Sequence, residues 1–119
     1  MGDRRSKFRP GQYVYVRGSR DKKRPWIAMI EDINEDATGI VQAKISWAYH
    51  KNDLPPQHRQ KCSLRDNEIL FSDDRQHIFL ECIDDFAKVN EFLDPCSDLN
   101  NWCWNKEYYK DTGEIIVVA

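Results

Sequence analysis

The sequence predicts an all-β domain, a barrel or sandwich with little helix. Three observations point there. At 119 residues, with 40% hydrophobic and 32% charged side chains, the chain is one soluble domain's worth and long enough to bury a core. Six or seven short segments carry strand-like apolar patterning. Turn residues separate them at close intervals, as in barrels and sandwiches.

The elements follow in order. "GQYVYVRG" alternates Tyr13 and Tyr15 on one face with Val14 and Val16 on the other, between Gly11 and Gly18. "RDKKRP" reads as a charged loop, and "WIAMIEDINED" as a strand, apolar early and acidic late. A Thr-Gly turn then opens "ATGIVQAKISWAY", so these two segments predict a hairpin. "HKNDLPPQHRQKCSLRD" is expected to be a polar loop in which Pro55 and Pro56 exclude regular structure. "NEILFS" predicts a short strand running into "DDRQH". "IFLECIDDFAKVNEF" predicts one longer strand or two joined by a bend. "LDPCSDLNN" is a turn-rich loop, and "WCWNKEYY" and "GEIIVV", divided by "KDTG", are the closing strands.

Charge is unevenly spread. Residues 1–24 hold nine of the 18 Lys and Arg and two of the 20 Asp and Glu, a balance of +7, which leaves −9 on the rest. A basic leader suits phosphate or an acidic surface; an acidic body repels DNA and attracts a basic peptide. The opening "MGDRRSKFRPG" has no apolar core of a secretory signal, and no run approaches a bilayer span, so no membrane partner is expected. Cys62, Cys82, Cys96 and Cys103 form no Cys-x-x-Cys pair and have no zinc-like His spacing, so no metal or cofactor is expected. His50, His58 and His77 have no recognisable nucleophile partner, and no phosphate-binding glycine loop appears; the reading is not an enzyme.

Aromatic residues are the informative class. "KISWAYHKND" places Trp47 and Tyr49 two apart on a strand, hence on one face. Trp26 opens the strand that pairs with it, and in a hairpin the start of one strand lies beside the end of the other. These rings could pack a core, where most aromatics lie. They could also wall a pocket for a methylated ammonium, held by cation–π attraction of about 0.5–2 kcal/mol per ring.

"ISWAYHKNDL", "NEILFSDD", "IFLECIDDF" and "WCWNKEYYKDTGEI", in that order, resemble the successive motifs of the bromo-adjacent homology (BAH) domain. The resemblance runs from about residue 10 to the end. It implies a leader over 1–9, a domain over 10–119, a twisted β-barrel-like core with long loops, and a role as a nuclear chromatin module. The chain is most similar to the methyl-lysine readers of that family. Their cage aromatics fall on Trp26 in "RPWIAMI" and on Trp47 and Tyr49 in "SWAY". The resemblance therefore implies a methylated histone tail as partner, histone H3 trimethylated at lysine 27 being favoured, in gene silencing. Asp53 and Asp74 would contact the peptide, and nucleosomes and other chromatin-complex subunits are further partners. The chain departs from the pattern in three places: Asp74 stands where the family has a histidine, His50, Lys51 and Asn52 replace an Arg-Pro-Glu-like stretch, and "DDFAKV" stands where the family has a glycine before its Gly-Lys-Cys turn. A carboxylate beside a cage favours a lower methylation state, so dimethylated lysine 20 of histone H4 is the competing mark. A nucleosome or protein scaffold without methylation dependence is the other alternative.

Overall fold

The computed structural model describes residues 7–19, 24–60, 63–91 and 101–118. Cys62, Cys96, most of the "LDPCSDLNN" loop, and the basic residues at 4, 5, 20, 22 and 23 lie outside these. The chain is mostly β, as predicted, with nine strands among the described residues: β1 (Tyr13–Val16), β2 (Trp26–Glu35), β3 (Val41–Tyr49), β4 (Leu70–Phe79), β5 (Ile83–Phe86), β6 (Val89–Glu91), β7 (Trp102–Trp104), β8 (Lys106–Tyr109) and β9 (Glu114–Val117). Seven hydrogen-bond in the order β5-β1-β2-β3-β4-β8-β9, and β6 pairs with β7. Contacts divide the chain into two compact units, residues 1–47 with 75–87, and residues 48–74 with 88–119.

In the first unit β1 lies antiparallel between β2 and β5, with Val16 opposite Trp26 and Val14 opposite Ala28. Side chains two apart on a strand share a face. Ala28 and Ile30 of β2 and Ala43 and Ile45 of β3 thus join Val14, Val16, Leu80, Ile83 and Phe8 in one buried cluster. Phe8 falls within the stretch read as a leader, yet it is 2% exposed. The β2–β3 turn is built by Asp36, whose Oδ1 accepts from Thr38 N (2.8 Å), Thr38 Oγ1 (2.6 Å) and Ile40 N (3.0 Å). Gly39 sits there at φ 87°, a conformation that favours glycine.

In the second unit β8 pairs in parallel with the start of β4 and antiparallel with β9, Tyr108 lying opposite Ser72 and Ile115. Leu54, Leu64, Leu70 and Tyr108 form its buried cluster, with Tyr49 and Ile115 against it. Buried Glu68 meets Lys106 in an ion pair.

Three expectations need correction. The loop after β3 contains regular structure: a 3-10 turn at Lys51–Asp53 and a short helix α1 at Pro56–Arg59. Proline disrupts a helix interior, but Pro56 stands in the first turn, where its missing N–H has no intrahelical acceptor. "DDRQH" does not merely follow a strand; β4 runs ten residues through it. "IFLECIDDFAKVNEF" is broken by a 3-10 turn at Leu80–Cys82 before β5 and β6.

Candidate functional site

The predicted cage tryptophans continue the core-facing rows of their strands, Trp26 opening that of β2 and Trp47 standing one place before Tyr49 in that of β3. Trp26 precedes Ala28 and Ile30 on β2; Trp47 follows Ala43 and Ile45 on β3. The two indoles therefore meet where the apolar cluster of the first unit gives way to surface. Their ring centroids are 5.9 Å apart and their planes 79° apart, an edge-to-face contact. Trp26 is 44% exposed, whereas Trp47 is half-buried and packs against the cluster. Trp47 is thus partly core, and Trp26 is the more exposed ring of the pair.

Two further residues define this corner. The Trp47 indole N–H donates to Gln76 Oε1 on β4 at 3.0 Å. Trp26 lies over Gly18 so closely that a β-carbon there would come within 2.4 Å of its ring. Sequence reading missed both: Gln76 sits in a polar run with no motif, and Gly18 reads only as the end of β1. On the opposite face of β3 a polar rung joins three strands. Ser46 Oγ donates to Glu31 Oε1 on β2 (2.6 Å), and Arg75 Nε on β4 donates to the same carboxylate (2.8 Å). Burial would raise the Glu31 pKa, but the bonds from Ser46 and Arg75 outweigh it and hold the group below its ordinary value.

The other three predicted residues lie in the second unit. Tyr49 packs on Tyr108 with centroids 5.2 Å apart, and its hydroxyl donates to Asp74 Oδ2 at 2.7 Å. Burial, then the bond and charge of Asp74, push the Tyr49 phenol well above its ordinary pKa. Asp74 Oδ1 accepts from Lys110 Nζ at 2.9 Å. Burial opposes ionisation of Asp74, but the Tyr49 bond and then Lys110 prevail and lower its pKa. Asp53 is exposed, and its Oδ2 accepts from His50 N at 2.8 Å, closing the 3-10 turn. The structure thus brings Trp26 to Trp47 and Tyr49 to Asp74, while Asp53 has a turn-forming role.

The remaining two tryptophans pack within the second unit: Trp102 edge-on to His50 and Trp104 stacked on Phe71, each with centroids 5.1 Å apart. Among the described residues no group of three or more His, Cys, Asp and Glu could hold a metal, and no helix is long and apolar enough to cross a membrane.

The BAH domain family model matches residues 6–110. No curated protein sequence gives a significant match. Among solved structures, the chain is similar to the BAH domain of yeast Rsc2, with a TM-score of 0.70 at 11% identity. That match covers 93% of this chain and 50% of the yeast chain, so the chain spans half the length of this structural relative. At such identity the likeness speaks for the fold, and the family match speaks for kinship. By that family match the chain belongs to the BAH domain family of chromatin-associated modules.

Proposed function

We propose that this BAH domain reads a methylated lysine on a histone tail in the nucleus, histone H3 trimethylated at lysine 27 being the favoured mark, in transcriptional repression. The observation that supports it is the half-open, near-perpendicular pair Trp26 and Trp47. Two indole faces at such an angle can share one methylammonium, each contributing about 0.5–2 kcal/mol, while its methyl groups leave water. Tyr49, two residues beyond Trp47 on β3, enters the proposal as the third wall through the family resemblance. Asp53 and Asp74 would take the tail's backbone amides or its arginine. Each already accepts a bond, and a carboxylate has acceptor sites to spare. The acidic balance beyond residue 24 suits a basic tail. The reaction is recognition without turnover. Affinity is expected in the micromolar range, on the order of −7 to −8 kcal/mol, supplemented by other chromatin-complex subunits through avidity.

A titration against unmodified, di- and trimethylated peptides centred on lysine 27 of histone H3, beside the lysine 20 set of histone H4, tests the reading. Trimethylated H3 should bind tightest. Trp26→Ala should abolish the preference for methylation and lower the melting temperature less than Trp47→Ala does, since Trp26 is the more exposed of the two rings. Trp47→Ala is the poorer variant because it also strips packing from the core. A preference for dimethylated H4 would keep the pocket and change its mark.

A second reading, a nucleosome-docking scaffold indifferent to methylation, draws on the +7 balance of residues 1–24. Equal binding of all peptides together with tight nucleosome binding would favour it.

A further inference from the structure

We infer that Gln76 and Gly18 are positioning residues for the Trp26–Trp47 corner, fixing the angle between the indoles before any ligand arrives. The inference rests on the aromatic pocket proposed above and assigns its rigidity to two residues outside the aromatic set. An indole nitrogen can only donate, so the oxygen of the Gln76 amide must be the atom that faces it at 3.0 Å. That bond ties Trp47 on β3 to β4 and restricts rotation of the ring about its side-chain torsions. Trp47 is also gripped on its inner side by the core cluster, so Gln76 governs the outer part of the ring.

The Trp26 ring is positioned sterically. One side meets Trp47. Another lies against the backbone of Gly18, at φ 131°, where a β-carbon would stand 2.4 Å from Cζ3 and 3.0 Å from Cη2. Those separations are far inside contact distance, so any larger residue at position 18 must push the indole away. Close by, Ser19 Oγ donates to the carbonyl of Arg24 at 3.0 Å, tying these two residues together. A glycine floor and an amide strut thus make a preformed corner from an exposed tryptophan that would otherwise sample several rotamers. Preformed walls spare a ligand the cost of ordering them.

The test uses the intact chain with Gln76→Leu, Gln76→Glu and Gly18→Ala. Gln76 is exposed, so its variants should fold, Gln76→Leu losing no more stability than the one bond to Trp47. Two readouts are taken: indole N–H and ring-proton shifts of Trp26 and Trp47 by NMR without ligand, and affinity for the trimethylated H3 peptide. In Gln76→Leu the Trp47 N–H signal should move, the ring-current shifts of Trp26 should change with it, and affinity should fall by about three- to tenfold, the weight of one net hydrogen bond. Gln76→Glu keeps an acceptor at the same reach and should restore both readouts. Gly18→Ala should displace the Trp26 signals while leaving the Trp47 N–H bonded. Unchanged Trp26 shifts in both Gln76→Leu and Gly18→Ala would overturn the inference, as would full affinity in Gln76→Leu where the parent binds. If the parent discriminates no methylated peptide, the pocket reading falls, and the ligand-free shifts alone then decide whether these residues set the corner.

Discussion

The Tyr49 hydroxyl illustrates how one residue can be read as a ligand wall and still have a structural duty. Its bond to Asp74 raises the phenol's pKa and helps lower the carboxyl's, so the pair favours the neutral phenol beside the ionised acid. The two shifts fix opposite ends of a pH profile. Asp74 is depressed, so its contribution is complete above the ordinary carboxylate pKa of about 3.9 and is lost as pH falls through the folded value. Tyr49 is raised, so its contribution is complete below the ordinary phenol value of about 10 and is lost as pH rises through the folded one. Tyr49→Phe should cost about 1.5–3 kcal/mol at neutral pH, as for a hydrogen bond to a charged acceptor. It should also let the Asp74 pKa climb back toward its ordinary value, read by carboxyl NMR. An unmoved Asp74 titration would show that Lys110 alone holds the acid. The same variant separates the two roles of the ring. Phenylalanine keeps a π face, so methyl-peptide binding should survive Tyr49→Phe and be lost in Tyr49→Ala if the ring is the third wall.

At the scale of elements, hairpins were legible and polar strands were not. β2 and β3 could be read because apolar alternation and a Thr-Gly turn agree with each other, and the register of β1 on β2 places the expected faces together. That turn makes a sharp prediction. Gly39 has open space around it, with only Glu35 Oε1 at 3.8 Å, so a methyl group meets no clash. The cost of Gly39→Ala is then that of a left-handed backbone alone, about 1–2 kcal/mol by urea unfolding. A neutral result would mean that the turn re-forms with another backbone geometry. β4 defeated the sequence reading for the converse reason. Arg75, Gln76 and His77 are exposed in mid-strand and carry no apolar signal; hydrogen-bonded neighbours in the sheet and the links of Arg75 to Glu31 and Gln76 to Trp47 hold the strand extended. Pro56 misled by type: its residue preference is positional, and the first turn of α1 is the position that tolerates it. Of the candidate site, the meeting of Trp26 and Trp47 was readable from hairpin logic, whereas their supports were not. Gln76 and Gly18 act through close approach between residues distant in sequence, which no local pattern encodes.

For the whole molecule, the charge distribution and the aromatic corner predict separable kinds of binding. The +7 balance of residues 1–24 is an electrostatic feature, and electrostatic binding to DNA weakens linearly in log affinity against log salt, with a slope of about −0.9 per neutralised phosphate. The tryptophan pair relies on polarisable faces and methyl burial, which salt affects far less. Nucleosome binding measured across about 50–200 mM salt should therefore respond to each feature differently. Replacing Arg4 and Arg5 by alanine should flatten the slope by up to about 1 for each phosphate that is no longer neutralised, while the preference for a methylated over an unmodified peptide stays intact. Trp26→Ala should do the opposite, erasing the preference and leaving the slope unchanged. If both variants altered both quantities, the leader and the corner would be acting on one surface, and the division between a basic docking element and a methyl-lysine pocket would have to be abandoned. If the arginine variant flattened the slope and the tryptophan variant changed nothing, the scaffold reading would replace the reader. The two variants carry the decision because one removes basic charge and the other one ring of the aromatic corner.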